Sequence, residues 1–274
     1  MQSFGSGWTL LKLDAVEAYL QSYTTALKNR KFHLSYIDAF CGSGNSTLND
    51  GTPVEGSALR ALRYPFDQYY FLDTEKAYCD VLREKIDRDY PGKSGITKVW
   101  NVEANEQLSS ITEVDWLKRN RRGVIFLDPY AMQLAWSSLE AIAQTKALDV
   151  WYLFPYGALT RNLRRNGKVQ PEERERVTRI LGASDWEEEI YAPSPQMSFL
   201  EEPNLEKKNA DKIREYILKR LGNIFPAVSP NAAFLRISTN TPLFLLCFAS
   251  SNPNQKATEL SLRIANHIPN HIHD

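Results

Sequence analysis

A chain of 274 residues with 43% hydrophobic content can bury a substantial core, and one α/β sheet with an appended segment accounts for that length without a second domain. Its 33 basic residues balance 33 acidic ones, which excludes a whole-molecule field for non-specific attachment to nucleic acid or anionic lipid; any such contact has to be local. Cys41, Cys79 and Cys247 are odd in number and far apart, as free thiols in a reducing compartment would be, and no apolar run exceeds strand length. A soluble, cytoplasmic protein with neither signal peptide nor membrane span is expected.

Taken in chain order, Leu13, Val16, Leu20, Tyr23 and Leu27 recur at spacings of three and four, which predicts a leading helix over 10–27. Five runs rich in β-branched and aromatic residues follow at 35–40, 68–73, 98–102, 123–128 and 149–154, and they read as buried strands. Helix-period segments lie between them at 56–62, 75–87, 105–111 and 136–145. This alternation predicts parallel strands joined by right-handed crossovers, hence an α/β fold with a doubly wound, mostly parallel, Rossmann-like sheet of about seven strands. Past Gly157 the pattern changes. A basic run comes first, helices are expected over 171–181 and 205–221, and Pro193, Pro195 and Pro203 mark irregular chain between them. The runs 233–237 and 243–249 flank a turn-prone stretch at 238–242 and predict an antiparallel hairpin that closes the sheet. The expected organisation is a single domain over 1–274: a cofactor-binding core at 10–157, a helical, basic elaboration after the fifth strand at 158–228, and closing strands and tail at 229–274.

Ligands of such sheets bind outside the carboxyl ends of the strands. The first strand ends in Asp38-Ala-Phe40-Cys-Gly42-Ser-Gly44, where two glycines one residue apart let the backbone approach a ligand closely. A dinucleotide fingerprint would need a third glycine where Thr47 stands, and Asp73 lies farther on than the usual ~20 residues, so nicotinamide binding is disfavoured. S-adenosylmethionine has no pyrophosphate. It asks for a glycine turn, a ribose-facing carboxylate and a polar edge for adenine, and the chain offers these in order. Asp38 and the loop through Phe40, Gly42 and Gly44 would meet the methionyl end, Asp73 the ribose hydroxyls, and Glu103, Ala104 and Asn105 the adenine. Singly, these residues read equally well as turn glycines and helix caps; their order is what makes the pattern specific.

The fourth strand ends in Asp128-Pro129-Tyr130, where a reacting group would meet the methyl. A carboxylate and a proline-fixed carbonyl can accept hydrogen bonds from an amine while the phenol ring stacks on a planar base, which points to amine methylation, and to a nucleic-acid base as its carrier. The alternative is a turn in which Asp128 caps the next helix and Tyr130 packs. Arg161, Arg164, Arg165 and Lys168 follow the fifth strand and read either as phosphate contacts or as a solvated face. Lys118, Arg119, Arg121 and Arg122, at the opposite edge, read as solubility or partner contacts. Cys41 reads as packing, and His267, His271 and His273 as incidental, because Pro269 is expected to interrupt the helix that would align them; no metal site is expected.

The segments Tyr36–Gly44, Glu55–Leu59, Phe71–Glu75, Glu103–Glu106, Phe126–Tyr130 and Leu153–Gly157 together resemble the three-Cys-motif partner (TcmP) proteins, a methyltransferase-like bacterial family, and the likeness resumes at Pro242–Ser250. The resemblance implies a class I methyltransferase fold, S-adenosylmethionine as cofactor, and a companion protein carrying the three-cysteine motif, of a radical-S-adenosylmethionine-like kind. The three cysteines of this chain are not that motif. Asp38, Gly42 and Gly44 match the glycine-rich first motif of the wider methyltransferase group, and Asp73 its ribose acid. Asp128-Pro129-Tyr130 stands where amino-methylating enzymes carry a catalytic Asp-Pro-Pro-Tyr, with one proline here instead of two. Two functions follow: an S-adenosylmethionine-dependent methyltransferase, or a non-catalytic or regulatory partner that keeps the fold and docks its companion through the segment after the fifth strand.

Overall fold

The computed structural model describes residues 7–48, 51–193, 205–237 and 239–271, with the side chains of 269–271 excepted. Pro195, Pro203, Ser238 and His273, which figure in the sequence reading, lie outside the described residues.

The sheet contains β1 (His33–Asp38), β2 (Gln68–Asp73), β3 (Thr97–Asn101), β4 (Arg121–Leu127), β5 (Leu148–Phe154), β6 (Ala227–Val228), β7 (Ala233–Arg236) and β8 (Pro242–Ser250). Its order is β3-β2-β1-β4-β5-β8, with β1 to β5 mutually parallel and β8 antiparallel to β5. The short strands β6 and β7 follow one another along the far side of β8, both antiparallel to it. This is the doubly wound, mostly parallel sheet with antiparallel closure that the sequence predicts.

Each central strand is apolar at nearly every position because both faces are covered, and the two-residue period deals its side chains alternately to two cores. Ile37, Leu72, Ile125, Val150 and Tyr152 face one core. It is roofed by α4 (Ala104–Thr112), α5 (Trp136–Gln144), α6 (Tyr156–Asn162), α7 (Pro171–Leu181), α8 (Trp186–Ile190) and α9 (Ala210–Gly222). Tyr36, Phe71, Phe126, Trp151 and Phe248 face the other, under α1 (Gly7–Leu27), α2 (Ser57–Ala61), α3 (Lys76–Asp89) and α10 (Gln255–His271). None of the described helices is long and apolar enough to cross a membrane.

Three expectations about elements change. The helix expected over 205–221 starts at Ala210, where Asn209 accepts a hydrogen bond from the Lys212 amide at 3.0 Å as its N-cap. Leu205–Lys207 instead pairs with Tyr191–Pro193 as a two-stranded ribbon. The first strand ends at Asp38 instead of residue 40, because Ala39 and Cys41 donate sideways to the carbonyls of Phe126 and Leu72. Finally, α10 runs to His271 through Pro269, which falls in the last turn, where little helix remains to disrupt; its apolar residues Ala265 and Ile268 are buried in the core that α1 also covers.

One glycine ties the α6–α9 layer to the sheet's own helices. Gly182 ends α7 in the left-handed region at φ +62°, and a Cβ there would stand 2.0 Å from Cδ1 of Trp136 at the start of α5. Gly182→Ala is expected to destabilise the fold by about 2–4 kcal/mol, from backbone strain and overpacking together, read as a lower midpoint of thermal or urea unfolding. A midpoint within error of the wild type would show that Trp136 moves aside without cost.

Candidate active site

β1 and β4 are neighbours from which the chain departs toward opposite halves of the sheet, which makes their carboxyl ends the switch point where such sheets bind ligands. Asp38 is the last residue of β1, level with Phe126, and Asp128 directly follows β4. Lys12, from α1, forms an ion pair with Asp128, their side chains 10% and 22% exposed. The Lys12 ammonium also lies 5.2 Å from the centre of the Trp8 ring. Sequence reading missed Lys12, although it stands four residues after Trp8 and four before Val16, on the edge of the helix's buried stripe.

Asp38 is wholly buried. Its oxygens accept hydrogen bonds from the Phe40 amide at 3.2 Å and the Ser57 hydroxyl at 2.5 Å. Burial pushes its pKa up to about 7; the Ser57 and Phe40 hydrogen bonds and Lys12 oppose the rise, and Asp128 adds to it. Asp38, expected at the methionyl end, thus has its carboxyl buried beneath the loop, tied to Phe40 and Ser57. Phe40 is partly buried and packs against the core.

The two glycines divide their work. Gly42, at φ +56°, has open space where a Cβ would point, and its amide donates to Asp73 at 2.9 Å. Gly44, at φ +79°, is demanded by packing, since a Cβ would meet Leu82 Cδ1 at 2.8 Å and Leu59 Cγ at 3.0 Å. Cys41, just before them, is buried, its thiol pushed up first by burial and then by Asp38 and Asp73, which leaves it inert.

Asp73 accepts from the Gly42 amide on one oxygen and from the Glu75 amide, at 2.8 Å, on the other, so each oxygen keeps a second lone pair for a further donor. At the next strand end Glu103 caps α4, accepting from Glu106 N at 3.0 Å and from the Asn105 amide at 2.7 Å. Ala104 is buried in the core. Asn105 is a brace: its amide group donates to Glu103 and Gln133 and accepts from Ala135 N and Ser138 Oγ, both at 2.8 Å. With all four interactions made, Asn105 has no capacity left for an adenine edge, and that expectation is corrected. Of the three residues assigned to this corner, Glu103 alone presents an exposed side chain.

The loop after β4 is held at several points. Lys12 fixes Asp128, Asn105 and Arg179 both donate to Gln133 O, and the Asn162 amide reaches Met132 Sδ at 3.5 Å. Within it Pro129 is buried, Ala131 adopts φ +50°, and Tyr130 stands 81% exposed. A non-glycine residue in the left-handed region beside an outward aromatic ring is backbone strain of the sort that accumulates at functional loops. Tyr130 therefore does not pack as the turn alternative would have it. Through Asn162, the end of α6 abuts this loop and brings the basic run beside it. Arg161, Arg165 and Lys168 are exposed and, among the described residues, pair with no carboxylate, whereas Arg164 pairs with Glu173 at 3.3 Å. Among the described residues no group of three or more His, Cys, Asp and Glu side chains is arranged to hold a metal ion.

No family model matches the chain. No curated protein matches it either. Solved structures do resemble it in chain path. Protein LPL1258 of Legionella pneumophila, assigned to family model DUF519, is 11% identical over 92% of this chain and 90% of that one, with a TM-score of 0.49. Trm1 of Pyrococcus horikoshii, solved with S-adenosyl-L-methionine, is 13% identical over 93% and 59%, at 0.41. The methyltransferase domain of bacterial CtHen1-C is 13% identical over 86% and 98%, at 0.38. The architecture rests on the strand order and burial described above.

The raised pKa of Asp38 carries a pH dependence. An acid that titrates near 7 when folded and near 4 when unfolded lets the native state hold an extra proton in between, so stability falls as pH rises through that window and levels off above it. Asp38→Asn, which preserves the shape and can still accept from Ser57, is expected to lose less of its melting temperature between pH 5 and pH 8 than the wild type does. Parallel losses in the two proteins would show that Asp38 is ionised throughout.

Proposed function

We propose that this chain is an S-adenosylmethionine-dependent methyltransferase whose substrate is an amine on a nucleic-acid base. One observation carries the reading: the glycine loop, Asp73 and the braced Asp128-Pro129-Tyr130 loop stand side by side at the switch point of the sheet, with Tyr130 outward. The residues present fit the cofactor, because Gly42 leaves open space beside the loop and Asp73 keeps a lone pair on each oxygen. Asp73 would hold the ribose hydroxyls, the loop backbone over 40–44 the methionyl end, and Glu103 would border the adenine. When bound, the cofactor supplies an electrophilic methyl group on its sulfonium.

Everything else falls to the chain. Tyr130 offers a face on which an extruded base stacks, and the Pro129 carbonyl and Asp128 carboxylate accept hydrogen bonds from its exocyclic amine, aiming the nitrogen lone pair. Lys12 holds Asp128 in place through Oδ2, and the proton shed by the methylated nitrogen can pass to the free Asp128 Oδ1. A displacement of this type draws its acceleration chiefly from orientation and exclusion of water. The unpaired cations Arg161, Arg165 and Lys168 would hold the backbone phosphates beside the loop.

A second reading has its own observation. Lys12 occupies the Asp128 carboxylate, as it would in a resting partner whose site opens only on docking the companion that the three-Cys-motif resemblance implies.

Calorimetric titration with S-adenosylmethionine, paired with transfer of labelled methyl to single-stranded RNA and DNA, separates the two. Asp73→Ala is expected to abolish cofactor binding. Asp128→Ala should retain it while methyl transfer falls about a hundredfold or more, and Tyr130→Ala should lose roughly ten- to hundredfold in kcat/KM. Cofactor binding by a folded wild type that methylates neither nucleic acid would favour the partner reading. Replacing Arg161, Arg165 and Lys168 together by alanine is expected to flatten the salt dependence of nucleic-acid binding by about two to three units of slope, and an unaltered slope would remove them from the interface.

A further inference from the structure

At the opposite, amino edge of the sheet lies a cavity of about 470 Å³ between α1, α10 and the starts of β4 and β5, within the size range of small-ligand sites. Ala26, Leu27, Phe32, Leu260 and Ile264 give it apolar walls. At its floor the buried Asp149 accepts hydrogen bonds from Tyr19 at 2.6 Å, Ser250 at 2.5 Å and Ser261 at 3.1 Å. Both carboxylate oxygens are thus satisfied by hydroxyls, so the floor does not call for a cation.

The mouth has the opposite sign. Arg30, Arg122 and Lys256 line it, and among the described residues none of them forms an ion pair with a carboxylate. Arg122 lies with its guanidinium 4.7 Å from the centre of the Phe32 ring, which holds it at the rim. Asn254 caps the start of α10, accepting from Ala257 N at 3.1 Å, so the positive end of a 17-residue helix also borders the cavity.

A second observation concerns the surrounding field. His33 N donates to Asn120 O at 3.0 Å, and His33 and Leu34 lie in register with Arg121 and Arg122. This pairing brings the run Lys28, Arg30 and Lys31 against the run Lys118, Arg119, Arg121 and Arg122, which is some 90 residues away in sequence. Of these seven cations Lys118 alone has an ion-pair partner among the described residues, Asp115 at 3.3 Å. Of these two runs Arg30 and Arg122 line the cavity itself, while Arg119 and Arg121 line a separate pocket with Tyr70 and Trp116.

We propose that this amino-edge cavity binds an amphipathic organic anion, its apolar body against Leu27, Phe32, Leu260 and Ile264 and its carboxylate or phosphate head between Arg30, Arg122 and Lys256. The site is separate from the candidate site at the carboxyl edge and does not depend on the function proposed for that edge.

The test uses the full chain and decanoate below its micelle concentration, followed by calorimetry and by displacement of the fluorescent anion 8-anilinonaphthalene-1-sulfonate. Decanoate is expected to bind one to one and to displace the dye. Decyltrimethylammonium, with the same tail and opposite charge, and inorganic phosphate, with the charge and no tail, should each bind at least about tenfold more weakly. The double variant Arg122→Gln/Lys256→Gln, changed only at the rim, should lose about tenfold in decanoate affinity, and Leu260→Trp, which fills the cavity, should abolish binding; melting curves establish that both variants are folded. The proposal is overturned if the folded wild type does not bind decanoate, if the cationic amphiphile or phosphate binds as well, or if the folded rim variant binds unchanged. Should Leu260→Trp fail to fold, the rim variant and the head-group comparison decide the matter alone.

Discussion

The constraint on which this structure depends is that β1, β2, β4 and β5 are covered on both faces. A strand with no solvent face has no room for polar side chains along its length, so polar groups collect where the strands stop. At the carboxyl edge these are Asp38, Asp73 and Asp128; at the amino edge they are Arg121 and Arg122, joined by Lys28, Arg30 and Lys31 from the preceding loop. The zero net charge hides these local groupings, in which Lys12 stands among the carboxyl-edge acids and Asp149 is buried beside the amino-edge cations. The two rims of the sheet are chemically different.

Two carboxyls break the rule. Asp38 and Asp149 are buried, both have their pKa raised by burial, and both are surrounded by hydroxyl or amide donors, with a cation nearby in Lys12 or Arg122. α1 serves both rims. Its Tyr19 hydroxyl donates to Asp149 at one end of the sheet, and Lys12, two turns away on the same helix, pairs with Asp128 at the other. A stable α1 is thus a condition for the candidate active loop to hold its shape, because without Lys12 the Asp128 carboxylate loses its counter-charge.

Much of the architecture is legible in the residues themselves. Apolar runs of strand length alternate with helix-period segments, and the local rules of turn and cap place Asp38, Asp73, Glu103 and Asp128 at strand ends. What misleads is the assumption that a polar residue at a strand end must face a ligand. Asn105 and Asp38 occupy the expected positions, yet Asn105 is engaged by Gln133, Ala135 and Ser138 as well as by Glu103, and Asp38 is buried with Ser57, 19 residues away, on one oxygen and Phe40 on the other. Gly44 is likewise required by Leu59 and Leu82. Such partnerships leave no local periodic trace.

The sequence by itself determined the order and kind of the core elements, because burial on two faces writes itself into every strand, and it determined which residue types stand at the carboxyl edge. Tertiary structure alone decided what those residues face. It brought Lys12 onto Asp128 across 116 positions, turned Asp38 inward and Tyr130 outward, and joined two distant basic runs beside a cavity. Pairing between remote segments depends on how helices and strands pack in space, and the local pattern of a chain encodes their faces without their partners.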